Sequence, residues 1–521
     1  MCNYHFIHSK GGKLENGAET TARDIDNLME LFQESNSRKL AIHFHGGLVS
    51  KASGMATAQR LHSIYAPDAF PVFFVWESGV WETIRNNVSE LADEPVFKQL
   101  VRKLLGYALE RLSGQSGGRS ILPGSVNTEE VRDVVNDFWS LPSMEAIPYR
   151  DFQPYEDKVG TRSVGMLVNE SEIQADLEGD DEFRRALGTL PDLDRGTRSA
   201  MGVMDNEEYR SGFSEALADQ LSEEPGTRGI VSWYKVTRFV ARMLKAVLNR
   251  YKSGRDHGLY ATVVEEIVRG VKLGGSGLNE WGQALQWNRM KKDVRDAFGA
   301  DVDRFAGTAL IERLRRFLEA GNQIDRITLI GHSTGAIYIA EWLEAADTML
   351  PSAVKFDVVF LAPAITYERF AKCLTNNGKR IRSFRSFAMH DELEREDQVW
   401  GDDTTLGDAS DLRRFVYPSS LLYLVSGVLE SDVDEDGNST DSPDKPLVGM
   451  ERYYTKVKVY GADDFSEVQQ VRDWLAQEPE QRLVWSITKG QPPGYNSASI
   501  DHGAFDNDPD TLDSVQAILK R

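Results

Sequence analysis

Residues 327–335 form an apolar, β-like run that ends in the pattern G-x-S-x-G, with Ser333 at its centre. This pattern predicts that a buried strand stops, the chain turns sharply and a helix begins, with the serine hydroxyl exposed on the turn. The strand before the turn (326–330) and the helix after it (336–346) can both be recognised in the sequence. We therefore predict that Ser333 is a nucleophile. A structural glycine-rich turn is the alternative interpretation.

A serine nucleophile of this kind needs backbone donors that stabilise the negative charge on the substrate oxygen. Residues 39–48 read as a strand that runs into the turn His45-Gly46-Gly47. Two glycines allow backbone N–H groups to approach a substrate oxygen closely, and each such donor contributes about 3–4 kcal/mol to the transition state. We assign the donors as the N–H groups of Gly47 and Thr334. An ordinary Gly-Gly turn remains the alternative.

The histidine partner is found by elimination, because on this scaffold the chain order is serine, acid and then histidine. Only His390 and His502 follow Ser333 in the chain. His390 directly precedes the best acid candidate and breaks that order. His502 lies in a polar loop between a strand-like run (482–488) and a final helix (509–520), from which its ring can reach the serine. A solvated loop histidine is the alternative.

The acid is less tightly specified by the sequence. Asp391 follows the β-like run 381–389, at the position where the acid usually lies, and it would orient the imidazole and stabilise its charged form. Asp463 and Asp464 are the rivals, because they follow another strand-like run (455–460). The sequence leaves both assignments open, although Asp391 is preferred.

With these residues together, the chain resembles a serine hydrolase of the α/β-hydrolase superfamily, esterase- or lipase-like, with a large inserted cap. The resemblance covers residues 3–76 and 326–521 and rests on the following motif residues: His45, Gly46, Gly47, Gly331, His332, Ser333, Thr334, Gly335, Asp391 and His502. It implies that Ser333 attacks a carbonyl and that His502 takes and returns the proton. An acyl-enzyme then forms and is hydrolysed, without cofactor or metal. A small-molecule or lipid carboxylic ester is the expected substrate, with thioesters and amides still open.

The alternation of strands and helices predicts an α/β fold, with a mostly parallel sheet flanked by helices and a large, mainly helical cap. We expect residues 1–80 and 301–521 to form the two parts of the hydrolase core, with an insertion around 397–455, and residues 81–300 to form the cap. About 250 residues separate the strand 71–76 from the nucleophile strand, where the resemblance implies a single helix.

Composition narrows the class of protein. The chain has 521 residues and a formal net charge of −21, which argues against a nucleic-acid-binding protein, since such a protein needs a basic face. Its two cysteines, Cys2 and Cys373, do not suggest a disulfide framework, and its first residues lack the pattern of a signal peptide. A cytoplasmic location is therefore expected.

One segment departs from the acidic character of the chain. Residues 226–255 contain eight Lys and Arg residues and no Asp or Glu. As a helix, this segment would have a polar stripe made of Lys235, Arg238, Arg242, Lys245, Asn249 and Lys252. Three interpretations stay open: a cap helix packed against the core with its cations paired to acidic groups, a lid over the active site, and contact with a membrane or phospholipid.

Residues 432–438 resemble the start of a calcium-binding loop, because carboxylates alternate along the chain and a glycine follows. The twelfth position of such a loop is Pro443 instead of the bidentate glutamate, so we predict an acidic surface loop and no metal site. Two other functions remain as alternatives to the esterase: a phospholipase-like effector that acts at membranes, and a non-catalytic binding protein with a hydrolase-like fold.

Overall fold

The structure is a computed structural model with two compact units. It describes residues 5–15, 17–47, 51–77, 94–112, 168–190, 212–221, 232–272, 287–397, 399–401, 414–417, 419–430, 444–461, 465–477 and 481–521. The first unit consists of residues 1–83, 286–397 and 420–521, and the second unit consists of residues 84–285 and 398–419. Each unit therefore contains segments that lie far apart in the sequence.

The strands in chain order are β1 (Phe6–Lys10), β2 (Lys39–Phe44), β3 (Phe70–Glu77), β4 (Arg326–His332), β5 (Phe356–Leu361), β6 (Ile381–Met389), β7 (Val399–Gly401), β8 (Arg414–Tyr417) and β9 (Leu483–Ser486). The helices are α1 (Ala22–Glu34), α2 (Lys51–Tyr65), α3 (Pro95–Leu112), α4 (Glu170–Gly179), α5 (Asp181–Leu187), α6 (Gly212–Leu221), α7 (Trp233–Ser253), α8 (Leu259–Lys272), α9 (Trp287–Asp296), α10 (Ala306–Glu319), α11 (Gly335–Met349), α12 (Tyr367–Asn377), α13 (Asp391–Glu396), α14 (Leu421–Leu424), α15 (Arg452–Thr455), α16 (Ser466–Leu475) and α17 (Pro509–Lys520). A short 3-10 turn (Gly378–Arg380) precedes β6, and a π turn (Val425–Leu429) follows α14.

The first unit is built on a seven-stranded sheet in which every pair of neighbouring strands is parallel. The strand order is β1-β3-β2-β4-β5-β6-β9. Central strands such as β5 are buried along their whole length, which explains their continuous apolar sequences. The predicted α/β class, a parallel sheet with flanking helices, is confirmed at this level.

The strand order creates a crevice between β2 and β4. These two strands are neighbours, with Phe44 beside Gly331, but the chain leaves β2 toward β3 and leaves β4 toward β5, on opposite sides. The loops that follow β2 and β4 therefore diverge. In open parallel sheets, ligands bind at the carboxyl ends of the strands at such a switch point. The turns that contain Gly46 and Ser333 lie at this place.

Helices cover both faces of the sheet. On one face α2 and α17 pack side by side over a core that includes Ala41, Phe73 and Ile330. On the other face α1, α10, α11, α12 and α16 form a row, and Phe44 contacts the rings of Tyr338 and Trp342 in α11. Successive side chains of one strand point to opposite faces of the sheet, so each strand contributes to the core under the helices on both faces.

One predicted strand is wrong. The sequence predicts a strand-like run at 455–460, but Thr455 ends the short helix α15 and residues 456–460 form turns. The amide of Lys456 donates to the carbonyl of Arg452 at 2.9 Å, and the amide of Tyr460 donates to the carbonyl of Lys456 at 3.0 Å. Because these groups are satisfied locally, the segment needs no strand partner.

The second unit contains six described helices, α3 to α8, and the antiparallel pair β7–β8. Helix α7, within the basic segment, packs against α3, α4, α6 and α8. Its apolar side chains, such as Phe239, Val240 and Leu244, are at most 3% exposed, and Gly254 ends the helix with a left-handed φ of +74°. The apolar side of α7 is therefore packed against neighbouring helices of the second unit.

Two further expectations concern membranes and metals. Among the described residues, no helix combines the length and the apolar character needed to cross a membrane. In the same residues, no group of three or more His, Cys, Asp or Glu side chains is arranged to hold a metal ion. The loop 432–438 lies outside the described residues.

Candidate active site

Ser333 lies on a sharp turn between β4 and α11. Its φ of +52° is a left-handed conformation, which is uncommon for a residue with a side chain and costs about 1–3 kcal/mol. Three backbone hydrogen bonds hold it there. Its N–H donates to the carbonyl of Leu361 at 2.8 Å, and its carbonyl accepts from Ala364 at 3.0 Å and Ala336 at 3.1 Å. The surrounding fold thus fixes the backbone that presents the hydroxyl.

The two glycines of the motif are required by close packing. A Cβ atom on Gly331 would lie 2.6 Å from the backbone of Gly335. A Cβ atom on Gly335 would lie 2.3 Å from the carbonyl oxygen of Phe44, at the end of β2. Only glycine allows the turn to fold back on itself and to press against the neighbouring strand, so the motif is a steric requirement of this fold.

The structure brings Ser333 and His502 together. The distance from Ser333 Oγ to His502 Nε2 is 2.9 Å, within hydrogen-bond range, although the two residues are 169 positions apart in the chain. Both side chains are buried. Burial, together with the charge of neighbouring His332, lowers the pKa of His502 to about 3. The imidazole is therefore neutral above about pH 4, which is the form that can accept a proton from the serine hydroxyl.

His332, just before the nucleophile, fixes the loop that carries His502. Its Nε2–H donates to the carbonyl oxygen of His502 at 2.9 Å, and its Nδ1 lies 3.5 Å from Oδ2 of Asp506. Burial alone would lower the pKa of His332, but the Asp506 carboxylate and the His502 carbonyl outweigh burial and raise this pKa. Asp506 has a pKa lowered to about 2, since His332 and Arg60 outweigh its burial. The Asp506 carboxylate therefore favours the protonated form of His332.

Asp391, the predicted acid, has other partners. Its carboxylate accepts hydrogen bonds from Arg452 Nε at 2.9 Å and Nη2 at 3.1 Å, and also from the hydroxyl of Tyr423. Burial opposes its ionisation, but Arg452 and Lys456 hold its pKa well below the usual range. Within the described residues it has no hydrogen bond to His502. The rivals Asp463 and Asp464 lie outside the described residues.

Asp397 is the carboxylate that contacts His502. Its Oδ2 accepts a hydrogen bond from the backbone N–H of His502 at 2.7 Å. Burial, aided by the nearby charge of Asp501, raises the pKa of Asp397 to about 7. In the same part of the molecule, Nδ1 of His502 is buried and has no hydrogen-bond partner among the described residues. His502 thus has a carboxylate, that of Asp397, bound to its backbone, and a ring nitrogen, Nδ1, that makes no hydrogen bond among the described residues.

The predicted oxyanion donors lie beside the nucleophile. A Cβ atom on Gly46 would be 3.4 Å from Cβ of Ser333, and the N–H of Gly47 donates to the hydroxyl oxygen of Thr334. The N–H of Thr334 has no hydrogen bond within the described residues. Thus one predicted donor is free, and the other is held by a side chain that a substrate oxygen would have to displace.

His45 has a structural part in this loop. Its Nδ1–H donates to the carbonyl of Gly46 at 2.6 Å, and its Nε2 accepts from the N–H of Trp76 at 3.1 Å. Burial lowers the pKa of His45 to about 4, so its ring is neutral. Both ring nitrogens are used, and the ring therefore locks the two glycines of the loop in position.

A cavity of about 590 Å³ has Ile337, four residues after Ser333, in its lining, which does not include Ser333 or His502. Apart from Ile337 and Ile365 its lining is largely charged, namely Lys291, Arg295, Glu341, Glu344, Glu368, Arg369, Lys372, Glu430 and Lys445, with Asn288 and Thr366. Several of these charges neutralise one another: Arg369 contacts Glu341 and Glu344 at 2.9 Å each. The lining of this cavity is therefore polar.

Asp397 and Asp506 contact this region but are not among the residues that the sequence predicts for the site, and His332 is predicted only as part of the G-x-S-x-G motif. Asp506 had a usable signal, because it follows His502 by four positions in the same polar loop. Asp397 had none beyond its place soon after β6. The chain has no significant match among protein-family models, curated proteins or solved structures.

Proposed function

We propose that this protein is a serine hydrolase of the α/β-hydrolase type that cleaves an acyl bond through an acyl-enzyme. The observation that carries the proposal is the 2.9 Å contact between Ser333 Oγ and His502 Nε2, made by a serine on a left-handed turn. A nucleophile and a base within hydrogen-bond reach, on a sharp strand-to-helix turn, are the arrangement that acyl transfer requires.

In this proposal the neutral ring of His502 accepts the Ser333 proton from Nε2 as Oγ bonds to the substrate carbonyl carbon. The same proton then passes to the leaving group, and the acyl group stays on Oγ. Water attacks this acyl-enzyme in the second half, with His502 again taking and returning a proton. Because the resting pKa of His502 is about 3, the imidazolium formed in each step needs an anionic neighbour.

We assign that anionic role to Asp397. It contacts the backbone of His502, whereas the charge of Asp391 is already balanced by Arg452. In this proposal the Asp397 side chain rotates, so that its second oxygen accepts the proton on Nδ1 of His502, an atom with no hydrogen-bond partner among the described residues. Its pKa of about 7 means that the carboxylate forms near neutral pH. Activity should therefore increase as the pH rises through 7.

The proposed oxyanion donors are the N–H groups of Thr334 and Gly47. The Thr334 N–H is open to a substrate oxygen, whereas the Gly47 N–H is held by the Thr334 hydroxyl. As negative charge develops on the substrate, an oxyanion is a stronger acceptor than a hydroxyl. We expect the Thr334 side chain to give way, so that the second donor acts mainly in the transition state.

The polar cavity beside Ile337 bears on the substrate. We propose that this cavity receives part of the substrate, where a long apolar chain would remove water from charges such as Glu430 and Lys445, which is costly. We therefore favour a carboxylic ester whose acyl or alcohol part is polar or charged. Thioesters and amides of the same character are cleaved by the same chemistry and remain within the proposal.

The test is labelling with a fluorophosphonate probe, followed by intact-mass detection and peptide mapping. Wild type should gain one label at Ser333, and both Ser333→Ala and His502→Ala should lose it. Ser253→Ala, an exposed serine at the end of α7, is the matched control and should label like wild type. Labelling that persists in folded Ser333→Ala would place the nucleophile elsewhere and refute the proposal.

A membrane-acting phospholipase is the second candidate, and the basic face of α7 is the observation that favours it. Because the apolar side of α7 is packed inside the second unit, contact with lipid would have to be made by the exposed cations such as Arg238 and Arg242. Comparing hydrolysis of phospholipid vesicles with hydrolysis of soluble polar esters distinguishes the two candidates. Probe labelling without any ester turnover would instead favour a binding protein.

A further inference from the structure

The second unit has a cavity of about 540 Å³ along the exposed side of α7. Its lining comes from α7, from the end of α6, and from the start of α4 together with Val168 just before it. The residues are Val168, Glu170, Gln220, Leu221, Tyr234, Lys235, Arg238, Phe239, Ala241, Arg242 and Lys245. A volume of this size accommodates a small organic ligand.

The charge of this cavity is opposite to that of the chain. Four cationic side chains of α7 line it, and Glu170 is the one carboxylate among the described lining residues. Within those same residues, no ion pair involves Arg238, Arg242 or Lys245. Burial, together with the positive charge of Arg238, lowers the pKa of Arg242. Arg238, Arg242 and Lys245 thus place three positive charges beside one lining carboxylate, in a protein whose net charge is −21.

The two arginines are held in place by contacts that leave most of their donors unused. Arg238 Nη1 donates to the hydroxyl of Tyr234 at 3.0 Å, and its guanidinium lies 5.5 Å from the centre of that ring. Arg242 Nη2 donates to the carbonyl of Gly270 at 3.4 Å, and its guanidinium lies 5.7 Å from the Phe239 ring. A guanidinium has five N–H donors, so each arginine retains several for a ligand.

We propose that this cavity binds a phosphorylated ligand, with Arg238, Arg242 and Lys245 as the phosphate contacts. The forked donors of arginine match phosphate oxygens in pairs, and charge-assisted hydrogen bonds of this kind are the stronger ones. Three contacts of positive charge beside the single carboxylate of Glu170 favour a ligand with at least two negative charges. The exposed Tyr234 offers a ring surface at the mouth for the non-phosphate part of such a ligand.

The phosphate group could belong to a free metabolite or to a phospholipid headgroup, and titration calorimetry with the full chain separates the two. The probes are inorganic pyrophosphate, inositol hexakisphosphate, and phosphatidylcholine vesicles with and without phosphatidylinositol bisphosphate. We expect a free polyphosphate to bind, and Arg238→Gln and Arg242→Gln each to weaken binding about tenfold or more. Higher salt should weaken binding further.

Lys252→Gln is the matched control, since Lys252 is an exposed cation on the same helix that does not line the cavity. It should change affinity by less than about twofold, since exposed charges outside the site act weakly. Binding only to vesicles that contain the bisphosphate, with the same arginine dependence, would assign the site to a lipid headgroup. Absence of binding to every probe, or equal weakening by Lys252→Gln, would overturn the proposal. Circular dichroism and thermal unfolding verify that each variant is folded.

Discussion

Replacing Asp397 with asparagine should make the protein more stable at alkaline pH and much less active. The pKa of this carboxyl is raised from 3.8 to about 7, chiefly by burial. The folded state therefore keeps the proton to a higher pH than the unfolded state. Stability falls as the pH rises between these values, and the loss is complete above pH 7. Asparagine cannot ionise, so the variant does not undergo this loss of stability.

The size of the effect follows from the pKa. One pKa unit corresponds to about 1.4 kcal/mol, so a rise of about three units costs up to about 4 kcal/mol when the group is fully ionised. Asp397 is partly exposed, and solvent screening reduces this value. We expect Asp397→Asn to exceed wild type in the free energy of unfolding by about 2–4 kcal/mol at pH 9, with little difference below pH 4.

The assay is urea unfolding of wild type and variant from pH 3.5 to 9. The other titrating groups are common to both proteins and cancel in the difference. In parallel, kcat/KM of the variant should fall by about 10²–10⁴, because an amide does not stabilise the imidazolium of His502 as a carboxylate does. In wild type, kcat/KM should rise through pH 7 as Asp397 ionises. A stability difference that does not change with pH, or a variant with full turnover, would refute the assignment of Asp397.

Asp391→Asn is the matched control, and it should have the opposite sign. Asp391 is ionised and paired with Arg452, so the variant leaves a buried guanidinium without its partner. We expect a loss of about 3–5 kcal/mol at neutral pH. Because the pKa of Asp391 is lowered, this contribution is present at neutral pH and disappears as wild type becomes protonated in acid.

Two further substitutions test the geometry of the site. Gly335→Ala places a methyl group 2.3 Å from the Phe44 carbonyl, so it should lower the free energy of unfolding by about 1–3 kcal/mol and abolish probe labelling. A variant that unfolds at the same temperature as wild type would contradict the steric argument. Asp506→Asn should lower the pKa of His332, as measured by histidine NMR, and reduce kcat about tenfold through a less firmly held His502; an unchanged His332 titration would show that the pair is not formed.

The sequence by itself determined the parts of this protein that depend on local patterns. Continuous apolar runs identified the central strands, because strands buried on both faces need them. Glycines around Ser333 identified the sharp turn, since any larger residue would collide with the chain. His502 was found by elimination and lies beside Ser333. The prediction of a strand at 455–460 was wrong because the residue types do not reveal the turn hydrogen bonds that form there.

Only the tertiary structure decided which partners the carboxylates of Asp391 and Asp397 contact. Asp391 and Asp397 are six positions apart and look alike in sequence. Asp391 is neutralised by Arg452, which lies 61 positions later in the chain. Asp397 instead contacts His502, which lies 105 positions later. Likewise, the hydrogen bond from the Gly47 N–H to the Thr334 hydroxyl joins residues 287 positions apart. Electrostatic partners are set by distances of a few ångströms in space, and these distances depend on how the whole chain packs.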